Sequence, residues 1–130
     1  KKFIEKYSLL PLLNKMDNIL IIEPLGSLNF LRILQGAKKV LTDSGGIQKQ
    51  AFMLGIPCIT LRENTEWVET VEMGWNVLVG TDKEKIKKMI NNFSPQGERP
   101  RVYGEGKASK KISEILTSMA EKKRGGQKRI

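Results

Sequence analysis

Histidine is absent from this 130-residue chain, and cysteine occurs once, at Cys58. The missing histidine removes the commonest general base and the commonest metal ligand. One cysteine neither builds a zinc site nor closes an internal disulfide, so no metal and no cofactor is expected. A lone thiol fits a reducing compartment, and the expected location is the cytoplasm. No apolar run approaches the ~20 residues of a membrane span, and the opening "KKFIEKYSLL" is not a signal peptide. Proton transfer, if this chain takes part in any, falls to carboxylates, lysines or a partner.

Acidic residues are also scarce: 23 Lys/Arg stand against 14 Asp/Glu, a formal charge of +9. Such a surplus raises the question of nucleic acid. Its distribution answers: residues 101–130 alone hold nine Lys/Arg against three Asp/Glu, ending in "EKKRGGQKRI". No aromatic residues are interleaved with that charge. It reads as a solvated basic tail, with a nucleic-acid-binding module kept as the alternative.

Strand and helix patterns alternate along the rest. "NILIIE" (18–23) reads as a buried strand closed by Pro24 and Gly26, and Ser27 as the N-cap of a helix "LNFLRILQ" ended by Gly36. "KVLT" is a second strand, and "GIQKQAFML" a helix with Ile47, Ala51 and Leu54 on one face and Gly55 as its C-cap. "CITL" is a third strand, with Cys58 a small buried group. "TEWVETVEMG" follows as a short helix and "NVLV" as a fourth strand. Thr81 and Glu84 have capping-box spacing before a helix bearing Ile86, Met89, Ile90 and Phe93. A Pro/Gly-rich link then leads to a last amphipathic helix with Ile112, Ile115, Leu116 and Met119. Repeated strand–helix alternation predicts an α/β fold, a parallel sheet flanked by helices, with ligands bound beyond the carboxyl ends of the strands. The loops to watch are 23–27, 42–46, 62–66 and 80–81.

Asp43-Ser44-Gly45-Gly46 lies at a strand-to-helix turn on that edge. Glycines there permit a tight turn and let a ligand reach main-chain N–H groups. The first amides of the helix are unpaired, its dipole adds positive potential, and Ser44 contributes a hydroxyl. Each hydrogen bond to a charged acceptor contributes about 1.5–3 kcal/mol, so two or three hold a diphosphate at about micromolar strength. Spacing alone leaves two readings open, an anion site and a simple N-cap.

"DSGGIQ", "LRENTEWVE", "LVGTD" and "YGEGKAS", in that order, resemble the C-terminal domain of the non-hydrolysing UDP-N-acetylglucosamine 2-epimerases. The likeness covers about residues 18–115. It implies the GT-B architecture, two Rossmann-like halves closing on a UDP-sugar, with this chain as the second half. The organisation expected is then an N-terminal segment 1–17 from a missing first domain, a Rossmann-like UDP-binding domain 18–120, and a basic tail 121–130.

The resemblance also assigns roles. Ser44, Gly45 and Gly46 fall where family members hold the diphosphate. Phe30 falls where uracil is contacted; its residue pattern alone suggests core packing with Leu31 and Leu34. Gln50 stands where the family usually has a glutamate bonded to the ribose hydroxyls. A glutamine keeps one acceptor oxygen and loses the charge that strengthens such bonds. Arg62, Thr65 and Glu66 are substrate-contact candidates, as is Trp67, which replaces an arginine found in many relatives. The residue-level alternative is that Asn64 or Thr65 caps the following helix while Glu66 and Glu69 complement its dipole. Tyr103 lies in a "YGDG"-like motif that prepares the last helix to cross toward the first domain.

The family reaction inverts C2 of the sugar, interconverting UDP-N-acetylglucosamine and UDP-N-acetylmannosamine. It implies elimination of UDP to a glycal and re-addition on the other face. Such chemistry needs a base at C2 and electrostatic help for the departing diphosphate. The acid/base carboxylates and a nucleotide-contacting histidine belong to the first domain, so no catalytic residue is expected in this fragment, which should be inactive alone. The partners expected are UDP or a UDP-N-acetylhexosamine, the missing domain, and a second copy meeting apolar faces. The alternative of the same architecture is the nucleotide-sugar domain of a GT-B glycosyltransferase.

Overall fold

The computed structural model describes residue 4 and residues 6–125. The chain falls into two compact units, Lys1–Phe30 and Leu31–Ile130. The first holds a one-turn helix, α1 (Leu10–Leu13), with Pro11 in its opening turn, where a missing N–H is harmless. Helix α2 (Ser27–Gln35) begins in this unit and ends in the second.

The second unit alternates strand and helix: β1 (Val40–Thr42), α3 (Gly45–Leu54), β2 (Cys58–Thr60), α4 (Val68–Glu72), β3 (Asn76–Leu78), α5 (Lys83–Asn92) and α6 (Ala108–Gly125). The three strands form a parallel sheet in the order β1-β2-β3, with Val40 opposite Cys58 and Cys58 opposite Asn76. Central β2 is buried along its whole length, as a strand covered on both faces requires. Helix α3 packs on β1 and β2, α4 packs on β3 and on α3, and α5 packs on β2. The core is Leu34, Ala51, Phe52, Ile56, Cys58, Ile59 and Val79.

Local chemistry sets the helix ends. Gly55 and Gly74 each take the left-handed conformation just past a helix, at φ 72°. Ile56 N–H then closes on Ala51 C=O (2.9 Å) and Trp75 N–H on Thr70 C=O (3.0 Å), turning the chain back toward the next strand. The Asp82 carboxylate caps α5 by accepting from Lys85 N–H at 2.9 Å. The Lys39 ammonium donates to Ile90 C=O (2.5 Å) in the last turn of α5, where the dipole is negative.

Four sequence expectations need correction. No strand forms over 18–23; Leu20 is 85% exposed and Ile22 51%. The run is apolar enough for a strand, but a strand needs a hydrogen-bonded neighbour, and the sheet ends at β1. The cap of α5 is Asp82, not Thr81, because a carboxylate one residue nearer reaches the third amide. The buried face of α3 is Gln48, Ala51 and Phe52, while Leu54 is exposed. The helix is rotated by about one residue because Gln48 finds polar partners inside. The amphipathic face of α6 is present, yet Ile112, Ile115, Leu116 and Met119 are all exposed. Of the expected tail, α6 runs on to Gly125 and residues 126–130 lie outside the described residues. No helix among the described residues is long and apolar enough to cross a membrane.

Burial raises the Cys58 thiol above its ordinary value, a weak contact to Thr60 opposing it. The folded chain therefore keeps a proton that the unfolded chain loses above about pH 8.5, and stability falls as the pH rises past that point. A thiol reagent at pH 8 is expected to leave the folded chain unmodified and to titrate one thiol in denaturant. Rapid modification without denaturant contradicts the buried placement.

Candidate functional site

Parallel register aligns the carboxyl ends of the three strands, so the loops after them adjoin. Leu61 N–H donates to Thr42 C=O (2.9 Å), Val79 N–H to Thr60 C=O (3.0 Å) and Gly80 N–H to Arg62 C=O (3.2 Å). The edge is thus stitched from the turn after β1, the loop 61–67 after β2, and the turn after β3.

At the first turn, Ser44 occupies the N-cap position of α3 in an extended conformation, and its side chain makes no capping bond. Its own N–H donates to Thr42 Oγ1 at 3.0 Å, which ties the turn to the end of β1. No acceptor among the described residues reaches the amides of Gly45, Gly46 or Ile47. Three adjacent main-chain donors at a helix N-terminus, two of them without a Cβ, are thus open to an acceptor from outside the turn. Gly46 is exposed and Gly45 half-buried. Gln50 lies four residues beyond Gly46, one turn along the same side of α3, and is half-buried.

Loop 61–67 carries the other expected residues. Arg62 pairs with Glu66 (3.1 Å) and donates to Asn64 Oδ1 (3.4 Å). Thr65 does not cap α4 in the usual way. Its hydroxyl donates to Gln48 Oε1 (2.6 Å) and accepts from Trp67 N–H (3.1 Å), so it spans loop and helix α3. Trp67 takes the N-cap position of α4 with no side-chain cap. A Cβ added at Gly45 would overlap the Glu66 carboxylate and approach Trp67 Nε1 to 3.1 Å, so the turn and the loop are in direct contact. Ser44, Gly45, Gly46, Arg62, Thr65, Glu66 and Trp67 are therefore gathered on one edge. Phe30 is half-buried on α2 in the first unit.

A buried polar network, absent from the sequence reading, holds this edge. Gln48 Oε1 accepts from Thr65 and from Asn76 Nδ2 (3.2 Å); Asn76 Nδ2 also donates to Thr70 Oγ1 (3.0 Å), and Thr60 Oγ1 donates to Asn76 Oδ1 (2.7 Å). Thr70 Oγ1 in turn donates to Trp67 C=O at 2.7 Å. Gln48, Thr60 and Thr70 are each 0% exposed. The available signal was polar residues at strand positions, Thr60 and Asn76, beside a glutamine one turn into a helix. Gln48 Nε2 and the indole N–H of Trp67 remain without an acceptor among the described residues.

A second cluster joins the same edge to the "YGEG" segment. The Lys49 ammonium lies 4.5 Å from the Trp67 ring centroid and 4.8 Å from that of Tyr103, whose rings stand perpendicular with centroids 5.9 Å apart. Tyr103 Oη donates to Glu69 Oε1 at 2.8 Å. Burial, and then the Glu69 bond, push the Tyr103 phenol well above its ordinary value. Hydrogen bonds, first to its own main chain and then from Tyr103, hold the Glu69 carboxyl below the usual range.

The family model for UDP-N-acetylglucosamine 2-epimerase matches residues 4–117. The chain belongs to that family. It is 49% identical over 120 residues to a UDP-N-acetylglucosamine 2-epimerase homolog of Methanococcus maripaludis, covering 92% of this chain and 34% of that protein. A crystal structure of the Methanocaldococcus jannaschii UDP-GlcNAc 2-epimerase in complex with UDP-GlcNAc and UDP matches with a TM-score of 0.73 at 44% identity, over 90% of this chain and 33% of that one. A UDP-2,3-diacetamido-2,3-dideoxy-D-glucuronate 2-epimerase of Pseudomonas aeruginosa is 43% identical over 76% of this chain and 28% of its own length. The chain thus spans about a third of the length of these relatives. Its parallel sheet with flanking helices is the Rossmann-like architecture of one half of the GT-B fold.

Removing the centre of the network tests its role. Asn76→Ala takes the Thr60 hydroxyl's acceptor away and removes one donor each from Thr70 Oγ1 and Gln48 Oε1, and it is expected to cost about 1–3 kcal/mol, read as a lower urea midpoint. A midpoint equal to the parent chain's contradicts that role.

Proposed function

We propose that this chain is the UDP-sugar-binding part of a UDP-N-acetylglucosamine 2-epimerase, interconverting UDP-N-acetylglucosamine and UDP-N-acetylmannosamine together with the remaining two thirds of the protein. The observation that carries the reading is the turn Ser44-Gly45-Gly46, where the amides of Gly45, Gly46 and Ile47 have no acceptor among the described residues, in a chain whose family includes a member solved with UDP-GlcNAc and UDP.

In this reading the turn receives the diphosphate and Gln50 accepts a ribose hydroxyl. The reaction breaks the C1–O bond as UDP departs, and negative charge grows on the diphosphate. Main-chain amides fixed at a helix N-terminus stabilise that charge without reorganising, which is the contribution this chain makes to the rate. The proton at C2 is handled by carboxylates outside this chain, so the isolated polypeptide leaves UDP-N-acetylglucosamine unconverted. Arg62, one residue past the strand-end loop's start, supplies a cation for the same phosphates.

Calorimetric titration with UDP tests the reading. Saturable heat is expected at micromolar to millimolar UDP, lost in Ser44→Asp, which sets a fixed carboxylate at the turn. Gln50→Glu is expected to tighten binding several-fold by restoring a charge-assisted ribose contact. The absence of saturable heat at millimolar UDP contradicts the assignment.

A further inference from the structure

Loop 61–67 sends one carboxylate to each glycine turn beside it. A Cβ at Gly45 would overlap the Glu66 carboxylate, and a Cβ at Gly80 would overlap that of Glu63. Both glycines thus make room for a side chain of this same loop. At Gly45 the contact is at the positive end of α3, where a negative group is favoured. Yet Glu66 makes no hydrogen bond to the amides of Gly45 or Gly46; among the described residues its hydrogen-bonded partner is Arg62, at 3.1 Å. That pair is open to water, the two side chains being 37% and 51% exposed, and an exposed pair of this kind is readily exchanged. Lys49, in the second turn of α3, is held between the Trp67 and Tyr103 rings.

We propose that Glu66 is an intramolecular competitor for the anion site: its carboxylate lies against Gly45, and an arriving diphosphate displaces it and takes over Arg62. The proposal rests on the reading of the Ser44–Gly46 turn as a diphosphate site. The exchange follows from charge and donors. A diphosphate brings more charge than one carboxylate and accepts from amides that Glu66 leaves unused, so it gains bonds that Glu66 does not lose. Freed of Glu66, the Arg62 guanidinium has a planar fork suited to phosphate oxygens. Loop 61–67 then exchanges one anion for another, and the cost of expelling Glu66 sets the affinity for UDP.

The test is titration of the full chain with UDP and with uridine, which lacks phosphate. Glu66→Gln keeps the side-chain volume and removes the charge; it is expected to tighten UDP about three- to ten-fold and leave uridine unchanged. Glu66→Ala is expected to do the same and serves if the glutamine variant fails to fold, as judged by far-UV circular dichroism. Arg62→Gln is expected to weaken UDP without affecting uridine. If the parent chain binds UDP and the folded Glu66 variants bind it no more tightly, the competitor role is overturned while the nucleotide reading stands. If neither parent nor variants bind UDP, both fall.

Discussion

The hydrogen bonds converging on the Gln48 carboxamide are the constraint on which the functional edge depends. Loop 61–67 has no regular structure of its own, and a loop holds a defined place only where its polar groups find fixed partners. Thr65 supplies that tie by donating to Gln48, one turn into the helix that starts at the glycine pair. Asn76 completes it from the start of β3, and Thr60 from the centre of the sheet. In a low-dielectric interior these bonds are strong when made and costly when broken, so loop, helix and sheet move together or not at all. The arrangement of Arg62, Glu66 and Trp67 around the turn is a consequence.

Aromatic rings fix a second part of this edge. The Trp67 ring is one wall of the cage holding Lys49. Tyr103 is the other wall, fixed by Glu69 and packed edge-on against Phe52 at 5.5 Å. The "YGEG" motif, distant in sequence, is thereby bound to α3 and α4. Near the turn, Lys49 is held between two rings and Arg62 by a carboxylate, while the amides of Gly45, Gly46 and Ile47 make no hydrogen bond among the described residues.

Much of this was legible in the residues. Apolar runs and their glycine punctuation gave the three strands near positions 40, 58 and 76 and the helices between them, because local period and left-handed caps are chain-local physics. The strand expected at 18–23 was not, since pairing is a property of two segments and composition reports one. The glycine turn could be found from its place at a strand-to-helix junction, but its free amides could not be told from capped ones until Ser44 was seen to make no capping bond. Gln48 was hidden because a polar residue on a helix reads as solvent-facing, and only Thr65 and Asn76 together make its burial possible. Glu66 was visible as a charge near the site, whereas its contact with Gly45 depends on a loop path that no spacing encodes.

The central claim is that the unpartnered amides of the turn grip the pyrophosphate, and amide chemical shifts report this directly. In a ¹⁵N-labelled chain titrated with UDP, the Gly45, Gly46 and Ile47 amide resonances are predicted to move together to saturation, and uridine is predicted to leave them in place. UDP binding that shifts other residues while those three stay still would contradict the account.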